Sequence, residues 1–146
     1  MGIGGWSQGG FMTARAVTRT RCFKAAVMGA GVSDWATMAM TSDVPCFESE
    51  IAGGAPWDGL ERRRPAELSP IYEAREAATP VLILHGEKDE RVPLNQAIGF
   101  HRALRAYDVP VELVVYPREP HSIGERNHQI DILQRVRAWY DRWLMS

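Results

Sequence analysis

Gly4-Gly5-Trp6-Ser7-Gln8-Gly9-Gly10-Phe11 stands at the start of the chain and contains the pattern G-x-S-x-G at Gly5, Ser7 and Gly9. The pattern fits a sharp strand-to-helix turn with a serine at its apex, crowded enough that the positions two residues away call for glycine. Such a turn lifts the serine hydroxyl above the sheet. It also sets the backbone N–H of the next residue, Gln8, and the positive end of the helix beside any oxyanion that forms there. A chain with 13 glycines can produce the triplet in an ordinary turn, so the flanks decide. Phe11-Met12-Thr13-Ala14-Arg15-Ala16-Val17 reads as the helix the turn requires, fading near Thr18 to Arg21, while only Met1 to Gly5 are left for the strand.

Outward from this turn, short apolar runs alternate with helical patterns. Ala25-Ala26-Val27-Met28-Gly29-Ala30-Gly31 reads as a buried parallel strand, and Ser33-Asp34-Trp35 as a helix cap. Thr41 to Leu68 is broken by Pro45, Gly53-Gly54, Pro56 and Gly59. Its Cys46-Phe47-Glu48-Ser49-Glu50-Ile51 segment and Trp57 are placed to wall a pocket. Pro80-Val81-Leu82-Ile83-Leu84-His85-Gly86 is a strand buried on both faces, and Asn95 to Tyr107 a helix with Ala97, Phe100 and Leu104 at helical spacing. Val111 to Tyr116 is the next strand. Asn127 is expected to cap a last helix whose Ile130, Leu133, Val136, Tyr140, Trp143 and Leu144 form one apolar stripe. The alternation implies βαβ units, hence a parallel sheet with helices on both faces.

With 146 residues, 45% hydrophobic and 24% charged, the chain fits one globular domain with a substantial core. A formal net charge of -1, with basic residues scattered apart from Arg62-Arg63-Arg64, gives no electrostatic case for nucleic acid or a membrane surface. Neither a spanning stretch nor a secretion signal is read from the sequence, so the cytoplasm is the expected compartment. Cys22 and Cys46 lack metal-ligand spacing and are expected to be reduced. No metal or cofactor is expected.

In parallel sheets of this kind chemistry gathers past the carboxyl ends of the strands, and Ser7, Asp89 and His121 each fall there. A serine hydroxyl needs a general base within hydrogen-bond reach and a third group to orient that base. His121 is placed to take the proton from Ser7, with Asp89 accepting from its other ring nitrogen. The order Ser, Asp, His is that of α/β-hydrolases. Asp89 lies in a charged loop in which Glu87 and Glu90 are alternatives. His121 competes with His85 at a strand end, His101 within a helix and His128 at a helix start, and is favoured by its loop position between Pro120 and Ser122.

Gly5-Trp6-Ser7-Gln8-Gly9-Gly10-Phe11-Met12-Thr13, Ser33-Asp34-Trp35 and Thr79-Pro80-Val81-Leu82-Ile83-Leu84-His85-Gly86-Glu87-Lys88-Asp89-Glu90-Arg91-Val92-Pro93 succeed one another in the chain. Together with Ser69-Pro70, Tyr116-Pro117, Pro120-His121 and Trp139-Tyr140-Asp141-Arg142-Trp143-Leu144, they resemble the catalytic domain of the prolyl oligopeptidase family, closest to its acylaminoacyl peptidase branch. The resemblance implies a three-layer α/β-hydrolase-like parallel sheet, truncated to its C-terminal strands and starting at the nucleophile turn. Residues 1–146 are then a single partial domain without the family's β-propeller. It also implies Ser7 as nucleophile, Asp89 as acid and His121 as base. Ser122 to His128 departs from the glycine-lysine-proline turn that the family often has there.

The expected function is that of a serine hydrolase cleaving small esters or peptides through an acyl-enzyme, with the Gln8 N–H in the oxyanion hole. Activity is expected to be weak, because the loop that supplies a second donor in the family is not encoded. Two rivals stand beside it: a carboxylesterase or lactonase with the same triad, and a catalytically silent unit that serves in assembly. A short first strand without an upstream neighbour is an open edge, which leads to the expectation of a homodimer or larger assembly.

Overall fold

The structure, a computed structural model, describes residues 1–44, 53–58 and 64–145. The segment from Cys46 to Ile51, with Cys46 itself, and Arg62-Arg63 lie outside the described residues. Strand β1 (Gly2–Trp6) leads into helix α1 (Gln8–Arg19), followed by β2 (Ala25–Gly29) and α2 (Trp35–Thr41). A 3-10 turn at Pro56–Asp58, the short helix α3 (Arg64–Leu68) and a 3-10 segment at Pro70–Glu76 come next. The chain closes with β3 (Val81–Gly86), α4 (Asn95–Ala106), β4 (Val111–Tyr116) and α5 (Arg126–Leu144).

Among the described residues four strands form one parallel sheet in the order β1-β2-β3-β4. Five residues suffice for β1, which pairs with β2 along its whole length, from Gly2 opposite Ala25 to Trp6 opposite Gly29. The two central strands are buried at every position, as the apolar runs Ala25–Met28 and Val81–Leu84 require when helices cover both faces. Their side chains alternate between two cores. Ala26, Met28, Val81 and Ile83 pack with Ala14 and Val17 of α1 and with Ala97, Phe100 and Leu104 of α4. Ala25, Val27, Leu82 and Leu84 face the other way, onto Trp139, Val136 and Tyr140 of α5. A third cluster, Val32, Trp35, Met38 and Val92, joins α2 to the loop after β3.

The Asp34 cap forms as expected, its carboxylate accepting the Ala36 N–H at 3.1 Å. Three local expectations are corrected. The last helix begins at Arg126 with Glu125, not Asn127, at its N-cap, and no side chain caps it. The Glu119 carboxylate instead accepts the Gly124 and Glu125 N–H groups, both at 2.8 Å, and so sets where the helix starts. Its buried stripe is also rotated: Ile132, Val136, Trp139, Tyr140, Trp143 and Leu144 pack on the sheet, while Ile130 and Leu133 are 42% and 70% exposed. Trp57, expected to wall a pocket, is 66% exposed.

Because Ile83 has no accessible surface at the middle of β3, Ile83→Ala is expected to cost about 2–5 kcal/mol, read from the urea midpoint. Leu133→Ala, on the solvent side of α5, is expected to change stability by under about 0.5 kcal/mol in the same assay. Equal losses at the two positions would contradict this assignment of the core.

Candidate active site

The turn between β1 and α1 is drawn tight by its backbone. Ser7 has φ 59° and ψ -118°, a conformation uncommon for any residue but glycine. Its N–H donates to the Gly29 carbonyl at the end of β2 (2.9 Å), and its carbonyl accepts the Phe11 N–H (3.0 Å). A Cβ on residue 5 would lie 2.6 Å from the Gly9 carbonyl carbon, so glycine is required at that side of the serine. On the other side the expectation is corrected, since a Cβ on Gly9 would meet nothing within 4 Å. The packing around residue 9 therefore does not require glycine there. Gln8 opens α1, so its N–H is one of the first four in the helix, which have no intrahelical partner.

The three residues singled out from the sequence come together above the carboxyl ends of the strands. The Ser7 hydroxyl lies 2.9 Å from His121 Nε2, and His121 Nδ1 lies 2.8 Å from Asp89 Oδ2. A carboxylate can only accept, so Nδ1 carries the proton and Nε2 presents its lone pair to the Ser7 hydroxyl. Asp89 is 4% exposed, and its other oxygen accepts the Val92 N–H at 2.8 Å. Both alternatives are excluded by geometry. Glu87 is exposed with its carboxylate on the Arg118 N–H (2.8 Å), and Glu90 points to solvent.

Of the competing histidines, His101 remains on α4, and His128, in the first turn of α5, donates from Nδ1 to Glu119 (2.7 Å). His85 does reach the site. It is fully buried, its Nε2 bonded to the Val92 carbonyl at 2.7 Å and 3.6 Å from Asp89 Oδ2. Burial pushes its pKa below the ordinary histidine value; the Val92 bond and the Asp89 charge oppose this, and His121 adds to it. A neutral His85 leaves the Asp89 charge to be met by His121 and the Val92 N–H.

The sequence reading passes over two supports of the loop that carries His121. The Trp6 indole N–H donates to the His121 carbonyl at 2.9 Å, and Glu119 is 2% exposed beneath the loop that carries His121. Trp6 lies inside the quoted motif, where a ring with one polar atom was the only signal. For Glu119 there was none beyond its place two residues before the histidine.

The sequence profile of the Prolyl oligopeptidase family matches residues 1–146. The chain belongs to this family. It is 34% identical to the uncharacterized peptidase YuxL of Bacillus subtilis, over 99% of this chain and 22% of that protein. Against the acylamino-acid-releasing enzyme of Rattus norvegicus it is 29% identical over 97% of this chain and 20% of the relative. The acylaminoacyl peptidase of Pyrococcus horikoshii superposes with a TM-score of 0.93 at 28% identity, covering 99% of this chain and 24% of that structure. The fold is thus that of the α/β-hydrolase-like catalytic domain of these proteins, and the chain spans about a fifth to a quarter of their length.

His85 also makes stability depend on pH. Its folded pKa is lowered from 6.5, so the unfolded chain binds the proton more readily, and stability is expected to fall as pH drops below about 6.5. His85→Gln should flatten the urea midpoint between about pH 7 and about pH 5, the range in which histidine titrates. A slope as steep as that of the parent protein would show that other groups carry it.

Proposed function

We propose that this domain is a serine hydrolase that cleaves ester or amide bonds through an acyl-enzyme, with Ser7 as nucleophile, His121 as general base and Asp89 as the orienting acid. The observation that carries the reading is His121 bridging the Ser7 hydroxyl at 2.9 Å and the buried Asp89 at 2.8 Å. Ser7 Oγ attacks the substrate carbonyl carbon while its proton passes to His121 Nε2. The carbonyl oxygen takes the negative charge and faces the Gln8 N–H and the start of α1. Collapse breaks the bond to the leaving group, which takes the proton back from Nε2. Water then enters along the same path and releases the acid.

The relatives bear the names of peptidases and acylamino-acid-releasing enzymes, which supports short or blocked peptides as the substrate class. Small activated esters need less help for the leaving group and are the practical probe. The cytoplasm is the compartment we favour, where the exposed thiol of Cys22 would stay reduced.

Ser7→Ala is expected to abolish both p-nitrophenyl ester hydrolysis and labelling by a fluorophosphonate, and Asp89→Asn to slow turnover on the order of 10⁴-fold. If the parent protein takes no label, or Ser7→Ala takes it equally, the silent assembly unit is the better reading.

We further propose that β1 mediates self-association. Among the described residues it pairs with β2 on one side only, and an open edge is a template for pairing with another chain. Light scattering of the purified 146-residue chain should give a mass at least twice 16.4 kDa. A stable species at 16.4 kDa would overturn this part.

A further inference from the structure

His121 has far to travel. Ser7 follows β1 and His121 follows β4, at opposite edges of the sheet. Three strand spacings separate them, about 14 Å at the usual interstrand distance. The chain must therefore turn back from β4 across the end of β3 and be held there, or the Nε2 to Ser7 distance of 2.9 Å cannot persist.

The return begins at Tyr116-Pro117-Arg118-Glu119, a turn closed by the Glu119 N–H on the Tyr116 carbonyl (3.4 Å). Arg118 sits in it at φ 67°, its N–H fastened by Glu87. The main chain then lies directly on the end of β3. A Cβ on Gly86 would be 2.5 Å from the Glu119 carbonyl oxygen and 2.4 Å from that of Pro120, and the Lys88 N–H donates to the Glu119 carbonyl at 2.9 Å.

Beyond this crossing His121 is gripped from two sides. On the Ser7 side the Trp6 indole N–H holds the His121 carbonyl at 2.9 Å. On the far side the buried Glu119 carboxylate takes three donors: Gly124 N–H on one oxygen, and Glu125 N–H and His128 Nδ1 on the other, at 2.8, 2.8 and 2.7 Å. These bonds hold its pKa below the usual carboxylate range, the Gly124 N–H contributing most. Glu119, Glu125 and His128 have the spacing of a cation site, with ligand atoms within 4.8 Å of one another. The lone pairs of Glu119 are already engaged by N–H groups, however, and Glu125 faces Arg118 at 2.8 Å. The cluster is built to fasten a loop.

We propose that Trp6 and Glu119 are positioning residues for the general base: Trp6 anchors the His121 carbonyl to the nucleophile turn, and Glu119 locks residues 119–125 onto α5. Neither touches the reacting atoms. The inference rests on the triad roles proposed above.

Two near-isosteric changes test it. Trp6→Phe retains an aromatic ring and removes the N–H. Glu119→Gln keeps the size but turns one acceptor into a donor, so at least one of the three N–H groups faces another N–H whichever way the amide is flipped. A misplacement near 1 Å costs about 10² in rate, so each variant should lose roughly 10- to 100-fold in kcat for p-nitrophenyl ester hydrolysis, with KM changed less than about twofold.

The second readout needs no activity. The His121 Nδ1 proton, bonded to Asp89, should give a low-field proton resonance, assigned by its absence in His121→Gln. It should be lost to exchange in both variants while the His85 Nε2 proton, bonded to Val92, persists. If the Ser7-dependent activity is absent from the parent protein, the hydrolase reading fails and the resonance alone judges the positioning. Retention of the His121 signal in both variants would overturn the proposal. So would loss of the His121 and His85 signals together, which would mean that the residues serve the fold as a whole.

Discussion

A serine held at φ 59° is the constraint on which the rest of the structure depends. A side chain in that region costs on the order of 1–3 kcal/mol and persists only where its surroundings leave no alternative. Here they leave none. The Ser7 N–H is bonded to the end of β2, its carbonyl starts α1, and Gly10 of that helix lies against Gly29 and Gly31 so closely that a Cβ on it would be 2.4 Å from the Gly29 carbonyl oxygen. Relaxing Ser7 would lift α1 off the sheet. It would expose Ala14 and Val17, both without accessible surface, and open the core they share with Met28, Ile83 and Phe100. The hydrophobic contact of one helix thus holds a strained hydroxyl in place.

The second requirement is a negative charge out of water. Asp89 is buried, and a carboxylate in such a place is tolerable only when its oxygens are met by donors. One oxygen has the Val92 N–H, the other His121. His85 lies 3.6 Å away and would compete if it were charged, but burial keeps its pKa low. Its Nε2 proton goes to the Val92 carbonyl instead, which braces the same loop that turns the Val92 N–H toward Asp89. The two groups of one peptide-bearing residue, Val92, therefore orient both the acid and its neutral neighbour.

What the sequence made legible was local and periodic. Val81 to Gly86 reads as a strand because burial on both faces leaves the apolar run Val81 to Leu84. The Ser7 turn reads from two glycines, and the order of Ser7, Asp89 and His121 reads because each follows a strand. What was hidden depends on partners distant in the chain. Asn127 looked like a cap because Asn caps helices by a local bond, whereas the start of α5 is fixed by Glu119. Ile130 and Leu133 fit a helical stripe as well as Ile132 and Trp139 do. The choice between stripes is made by the sheet face they meet, where Ile132 and Trp139 pack with Ala25, Val27, Leu82 and Leu84, distant in the chain. Asp89 could not be separated from Glu87 by type or position alone. The Arg118 N–H, brought over by the turn that follows β4, is what draws Glu87 outward.

These distant partners are also why the site is not the property of any one segment. Ser7 is placed by α1 against β2, and Asp89 by the fully buried end of β3. His121 is placed by a loop that leaves β4, crosses Gly86 and stops against Trp6. β4 is an edge of the sheet, with Tyr116 its one buried residue, so His121 starts from an element less fixed by packing than the central strands. An indole N–H on the His121 carbonyl and a buried carboxylate that takes the Gly124 and Glu125 N–H groups supply by hydrogen bonding the fixity that packing gives to Ser7 and Asp89. Directional bonds suit that task, since they set an orientation of the imidazole as well as a distance.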